Sequence, residues 1–183
     1  MKQRIGVIYS TVDGQTRKIC EELICILDKK QIKAELYSID TFKSDPAEFD
    51  TLIIGASVRY GKHRMSVKNF IVNNKQALKQ INTAFFSVNL VARKNDKNTP
   101  ETNPYLIKFF KTIDWAPDLL DVFAGKLDYK SYPFIDRIMI RLIMRITNGP
   151  TKSDNAIEYT DWSRVKDFGD KILEINKKTI LKE

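Results

Sequence analysis

Histidine is nearly missing from this chain, His63 being the only one in 183 residues. That leaves histidine-based metal sites and conventional catalytic triads little to work with. Cysteine is scarce as well. Cys20 and Cys25 stand five apart in a helical pattern, without the CxxC spacing of a redox pair or a zinc half-site, and read as small core or surface thiols. Seven glycines and six prolines are too few for a fibrous repeat or a disordered, Gly/Pro-rich chain. Long apolar runs are also absent: Arg137, Arg141 and Arg145 divide the best candidate, and a bilayer span needs roughly 18 to 20 residues. The apolar stretch Ile5 to Tyr9 is too short for a signal-peptide core, so secretion is not expected.

Acidic residues are in deficit. Lys and Arg outnumber Asp and Glu by 31 to 23, for a net charge of +8. An excess of this sign favours anionic partners: nucleic acid, acidic lipid or polycarboxylate ligands. Many of these cations are equally read as the solvated faces of helices. Hydrophobic residues make up 43%, enough for one core at this length without metals or disulfides. No internal repeat or Ser/Gly/Pro linker divides the chain. A single domain over residues 1–183 is expected.

What is present is an alternation. Arg4 to Tyr9 reads as a strand, and Ile19, Leu23, Ile24 and Leu27 recur behind it at helical spacing. Ala34 to Ile39 and Thr51 to Gly55 are the next strands, the latter apolar enough for burial on both faces. A helix carrying Val67, Phe70, Ile71 and Leu78 leads to a fourth strand, Thr83 to Leu90. Tyr105 to Thr112 reads as a helix and Leu119 to Ala124 as the fifth strand. Asp161 is placed to cap a last helix running to Asn176, with Trp162, Val165, Phe168, Ile172 and Leu173 facing inward. Strands alternating with helices imply an α/β fold with a parallel sheet covered on both sides.

One segment breaks the pattern. Gly125 and Asp161 are separated by 35 residues, where such connections take about 2 to 6. The stretch at about 126–155 therefore reads as an insertion at the fifth strand. Phe134 to Ile146 within it has helical character, and Ala156 to Thr160 suits an edge strand that the insertion interrupts.

The turn after the first strand reads Tyr9-Ser10-Thr11-Val12-Asp13-Gly14-Gln15-Thr16 and opens directly onto a helix. Hydroxyls and turn amides at a helix N-terminus can surround a phosphate without any basic residue. The turn lacks the Lys of GxxxxGK[ST] and the spacing of GxGxxG, which weakens nucleoside triphosphate and NAD readings. An ordinary helix cap accounts for the same residues equally well.

This loop resembles the phosphate-binding loop of the flavodoxin family, S/T-x-T-G-x-T. Asp13 departs from a plain hydroxyl loop and must cap or point outward, since a carboxylate facing a phosphate dianion is repelled. The resemblance sharpens with Gly55-Ala56-Ser57-Val58-Arg59-Tyr60-Gly61, with Phe86 to Lys94 and with the late Tyr159-Thr160-Asp161-Trp162. Together these resemble, over essentially the whole chain, the FMN-dependent protoporphyrinogen oxidase branch of the flavodoxin-like superfamily. The resemblance implies a doubly wound five-stranded parallel sheet of order 2-1-3-4-5, with FMN at the switch point between strands one and three.

It further implies cofactor contacts from Ser10, Thr11, Asp13, Gly14, Gln15 and Thr16; from Ser57, Val58, Arg59, Tyr60 and Gly61; from Ser87, Val88, Asn89 and Leu90; and from Gly125. Tyr60 either lines the flavin ring or simply packs its loop. The implied reaction oxidises protoporphyrinogen IX, with FMN carrying electrons to menaquinone or ubiquinone, and needs no side-chain nucleophile. Arg59, Arg93 and Lys94 are candidates to pair with the substrate's carboxylates, or are solvated loop charges.

In the insertion, Arg137, Arg141 and Arg145 form one basic stripe on an otherwise apolar helix, preceded by Tyr129, Tyr132, Pro133 and Phe134. Such a helix suits an anionic membrane surface, with Tyr132, Phe134 and the three arginines in contact. Covering a sheet edge or joining a homo-oligomer are the other placements. The implied location is cytoplasmic, at the inner face of the cell membrane. A flavodoxin-type electron carrier, a quinone reductase and a basic nucleic-acid-binding module are the competing functions. The first family is usually acidic, the second lacks a second nucleotide fingerprint here, and the third has no recognised motif, so no nucleic acid partner is expected.

Overall fold

The computed structural model describes residues 4–130, 132–146, 149–153 and 155–180, with side chains as far as residue 176. Strand β1 (Ile5–Ser10) lies in a parallel sheet between the edge strand β2 (Ala34–Ser38) and the central strand β3 (Thr51–Arg59). Strand β5 (Asn82–Asn89) follows β3, and β6 (Leu119–Ala124) closes the edge. A two-residue strand, β4 (Lys62–His63), folds back antiparallel on the end of β3. The order β2-β1-β3-β5-β6 is thus the expected 2-1-3-4-5 once the short β4 is set aside. Strand β3 is longer than its apolar core Thr51 to Gly55, because Ala56, Ser57 and Val58 still pair with neighbouring strands.

Helices cover both faces. On one, α1 (Gln15–Asp28) and α6 (Trp162–Ile180) bury Ile19, Leu23 and Leu27 against Val165, Phe168 and Ile172. All six are at most 1% exposed, and burial of such side chains stabilises by roughly 1.5–3 kcal/mol each. Asp161 caps α6 as expected, its Oδ1 accepting from the N–H groups of Ser163 and Arg164. The other face carries α2 (Met65–Asn73), α3 (Lys75–Leu78) and α4 (Pro104–Phe110), with Val67, Ile71, Leu78, Leu106 and Phe109 in the second core layer. The single helix expected around Val67 to Leu78 is broken at Asn74, whose side-chain amide donates to the Phe70 carbonyl at 2.8 Å. Cys20 is buried and Cys25 exposed, both as free thiols. Gly55 is required by packing: a Cβ there would lie 2.4 Å from the Phe86 ring.

The segment between β6 and α6 departs from expectation. Ile157–Glu158 (β8) does not complete the main sheet; it pairs antiparallel with Lys126–Leu127 (β7) in a separate ribbon. Helix α5 (Phe134–Ile146) lies between them in the chain. Leu127, Tyr129, Tyr132, Ile140 and Met144 make a small core of their own, against which Leu90 packs from the loop after β5.

Candidate flavin site

The site forms where the loops after β1, β3, β5 and β6 meet. Thr11 closes the first of them, its Oγ1 accepting the Gly14 N–H at 3.0 Å. Gly14 then begins α1 at φ 83°, a left-handed conformation that a side chain would strain. No acidic residue occupies the first turn of α1, so its positive end is uncompensated there. The hydroxyls of Ser10, Thr16 and Ser57 are buried and have no hydrogen-bond partner among the described residues. A buried donor left unpaired costs about 1–3 kcal/mol. Three together beside one helix N-terminus have the composition of an oxyanion cradle. Thr11, Thr16, Ser57, Val88 and Gly125 line a cleft of about 50 Å3 there.

Asp13 does not cap α1; it is exposed at the cleft, whose lining it joins. Its carboxylate meets Arg59 Nη1 at 2.8 Å. Burial pushes the Asp13 carboxyl above its ordinary range, Arg59 pulls it back, and Asp136 of α5 raises it further. Gln15 lines the same cleft, and its side-chain amide donates to Glu158 at 3.1 Å and Thr160 at 2.9 Å. That side chain ties α1 to β8, and Thr160 in turn donates to the Ala124 carbonyl at 2.7 Å.

Next to the cradle runs a groove of about 60 Å3 lined by Val58, Arg59, Tyr60, Gly61, Asn89, Leu90 and Val91, with Tyr105 from α4 and Met139, Ile140 and Ile143 from α5. The two spaces share Val58, Asn89 and Leu90. Tyr60 stands 55% exposed at φ 52°, a rare conformation for an aromatic residue. Its hydroxyl donates to Asp136, which also takes Arg59. Ser87 is corrected as a direct contact: it is buried behind the groove and bonded to His63 and Asn89.

Asn89 and Asn103 belong to that same buried group. Asn89 Oδ1 accepts from the Ala92 N–H at 3.1 Å and Asn103 Oδ1 from the Leu106 N–H at 3.3 Å, which fixes both amides. Asn89 Nδ2 therefore donates to Ser87 Oγ at 3.3 Å. Ser87 Oγ and His63 Nε2 form a hydrogen bond of 2.9 Å, and His63 Nδ1 is buried with no partner among the described residues. Burial pushes His63 down to about 4, so the ring is neutral near pH 7. Among the described residues no cluster of His, Cys, Asp and Glu could hold a metal ion.

The expected substrate cations are placed differently. Arg59, with its side chain 16% exposed, is shared between Asp13 and Asp136 and is not a free guanidinium. Arg93 Nη1 donates to the Leu90 carbonyl at 2.8 Å and its guanidinium lies over Tyr159. Lys94 lines neither the cleft nor the groove. In the insertion, Tyr132 is corrected as a lipid contact: it is 3% exposed, and its hydroxyl donates to the Lys126 carbonyl at 3.3 Å. Arg137 is half-buried and donates to the Tyr132 carbonyl at 3.1 Å. Phe134, Arg141 and Arg145 do face outward. Asp136, Asn103 and Tyr105 were not anticipated. Asp136 carried one signal, as the only acid in an apolar and basic helix, and Asn103 another, as a cap before Pro104.

A parallel sheet of order 2-1-3-4-5, with an oxyanion cradle at the end of its first strand, defines a flavodoxin-like protein. A family model described as "Flavodoxin domain" matches residues 6–154, and the chain belongs to this family. It is 39% identical over 177 residues to protoporphyrinogen IX dehydrogenase [quinone] of Escherichia coli, covering 96% of this chain and 98% of that one. Its similarity to the protein of the same name from Leishmania major is 40% over 164 residues, or 88% of this chain and 71% of that one. Among solved structures, oxidised flavodoxin 1 from Bacillus cereus superposes with a TM-score of 0.50 at 13% identity, covering 94% and 98% of the two chains, which bears on the fold alone.

Proposed function

We propose that this chain is an FMN-dependent dehydrogenase that oxidises protoporphyrinogen IX to protoporphyrin IX and delivers the electrons to a quinone. The observation that carries the reading is the orphaned trio of Ser10, Thr16 and Ser57 hydroxyls beside the N-terminus of α1, in a chain closely similar to enzymes named for that reaction. These hydroxyls and the first N–H groups of α1 would hold the FMN phosphate. Val58, Tyr60, Asn89 and Leu90 would flank the ring. When bound, FMN supplies the redox chemistry, accepting electrons from the porphyrinogen and releasing them to the quinone. The protein's residues bind and orient. Arg59 neutralises Asp13, so the phosphate meets a paired carboxylate instead of a bare one.

Helix α5 gives the enzyme its place. Phe134, Ile135, Ile138, Met139, Leu142 and Ile146 are all at least 38% exposed, and Arg141 and Arg145 are exposed beside them. No helix among the described residues is long and apolar enough to cross a membrane. An exposed apolar face edged by arginines suits the surface of an anionic bilayer, where a lipid-soluble quinone is reached. Vesicle flotation tests this: the protein should float with anionic vesicles and stay down with zwitterionic ones. A concentration-dependent dimer with no flotation would instead assign the face to a second copy.

The activity is tested anaerobically, following fluorescent protoporphyrin formed from protoporphyrinogen IX with FMN-loaded protein and menaquinone. A rise that needs protein, flavin and quinone together is the expected result. No rise above autoxidation, from protein whose spectrum shows bound FMN, would move the reading to an electron carrier.

A further inference from the structure

Beyond the flavin groove, and sharing Gly61 and Tyr105 with it, lies a cavity of about 200 Å3. Met65, Tyr105 and Phe109 give it apolar walls, and Lys62, Lys68 and Lys108 stand around it. No acidic residue lines it among the described residues. None of the three lysines forms an ion pair among the described residues. His63, the remaining titratable group on the wall besides Tyr105, is neutral because burial holds it at about 4. Three lysines around an apolar space, with no carboxylate among its lining residues, favour an anionic ligand with an apolar body. The one guanidinium among the described residues lining the groove, Arg59, is already held by two carboxylates.

We propose that this lysine-rimmed cavity receives the carboxylate-bearing edge of the porphyrinogen, while the apolar macrocycle reaches past Gly61 and Tyr105 into the flavin groove. The proposal rests on the dehydrogenase reading above. A cavity of this volume is too small for a whole tetrapyrrole but suits one edge of it, with the rest of the ring lying over the adjoining groove. An uncharged quinone gains nothing from three cations, so the lysines select the dicarboxylate. Lysine suits this role, because a point charge on a flexible stem follows a carboxylate arm without demanding bidentate geometry.

The proposal is tested with FMN-loaded full-length protein and two probes, protoporphyrin IX and its uncharged dimethyl ester, titrated by fluorescence. The cavity variant carries Lys62→Gln, Lys68→Gln and Lys108→Gln. A charge-matched control carries Lys29→Gln, Lys30→Gln and Lys33→Gln near the far end of α1. The cavity variant should weaken diacid binding on the order of tenfold, leave ester binding unchanged and raise KM for protoporphyrinogen with little change in kcat. FMN affinity and Tm should match the control. Equal diacid binding by the cavity variant and the control, or an equal loss for the ester, would overturn the assignment while leaving the dehydrogenase reading intact. A wild-type protein that neither binds the diacid nor turns over porphyrinogen would overturn both.

Discussion

Helices α1 and α5 are of nearly equal length, 14 and 13 residues, and both carry aliphatic side chains at helical spacing. In α1, Ile19, Leu23 and Leu27 are fully buried. In α5 only Ile140 and Met144 are buried, while Phe134, Ile135 and Ile146 are more than 70% exposed. The difference is one of partners. Helix α1 returns the chain between two parallel strands and meets both the sheet and α6, so its apolar stripe has somewhere to go. Helix α5 hangs on a two-stranded ribbon and a five-residue core, which can cover only one narrow face of it. A hydrophobic pattern therefore reports that a face wants cover, and the topology decides whether the chain itself supplies it.

Core substitutions should show the contrast most sharply. Phe168→Ala, opposite α1, is expected to cost about 3–5 kcal/mol in urea denaturation. The pH dependence of the sheet region comes next. His63 falls from 6.5 unfolded to about 4 folded, so its neutral burial contributes stability that is present above pH 6.5. That contribution is lost as pH falls toward 4 and should amount to at most about 3 kcal/mol. His63→Gln should flatten the Tm profile between those two pH values; an unchanged profile would remove His63 as its source.

The cradle should respond in binding and not in folding. Thr16→Val or Ser57→Ala removes an orphaned hydroxyl, so stability should hold or rise slightly, while FMN affinity falls about tenfold to a hundredfold in a flavin fluorescence titration. The smallest effect belongs to α5. Leu142→Ser should alter urea stability by no more than about 0.5 kcal/mol, yet reduce flotation with anionic vesicles. A large stability loss there would mean that the face is covered within the protein and that the contrast with α1 fails.

Much of the sheet was legible because burial on both faces leaves a simple mark, the continuous apolar runs of β1, β3 and β5. The hydroxyl loop was legible for a similar reason: a phosphate cradle at a helix start is made by neighbours in sequence. Ser57 joined it only through the resemblance, since its place beside Ser10 depends on the register of β1 with β3. The charged residues were the least legible. Nothing in the spacing of Asp13, Arg59 and Asp136 shows that they meet, and that meeting removes Arg59 from the cations free to bind substrate.

The amino-acid sequence by itself determined the α/β alternation, the position of the phosphate loop and the amphipathic character of α5, because each depends on residues within a few turns of one another. Only the tertiary structure decided which cations are neutralised, which face of α5 stays uncovered, and that Lys62, Lys68 and Lys108 gather around one apolar cavity. Those properties depend on side chains far apart in the chain, whose encounter is fixed by sheet order and loop packing rather than by any local pattern.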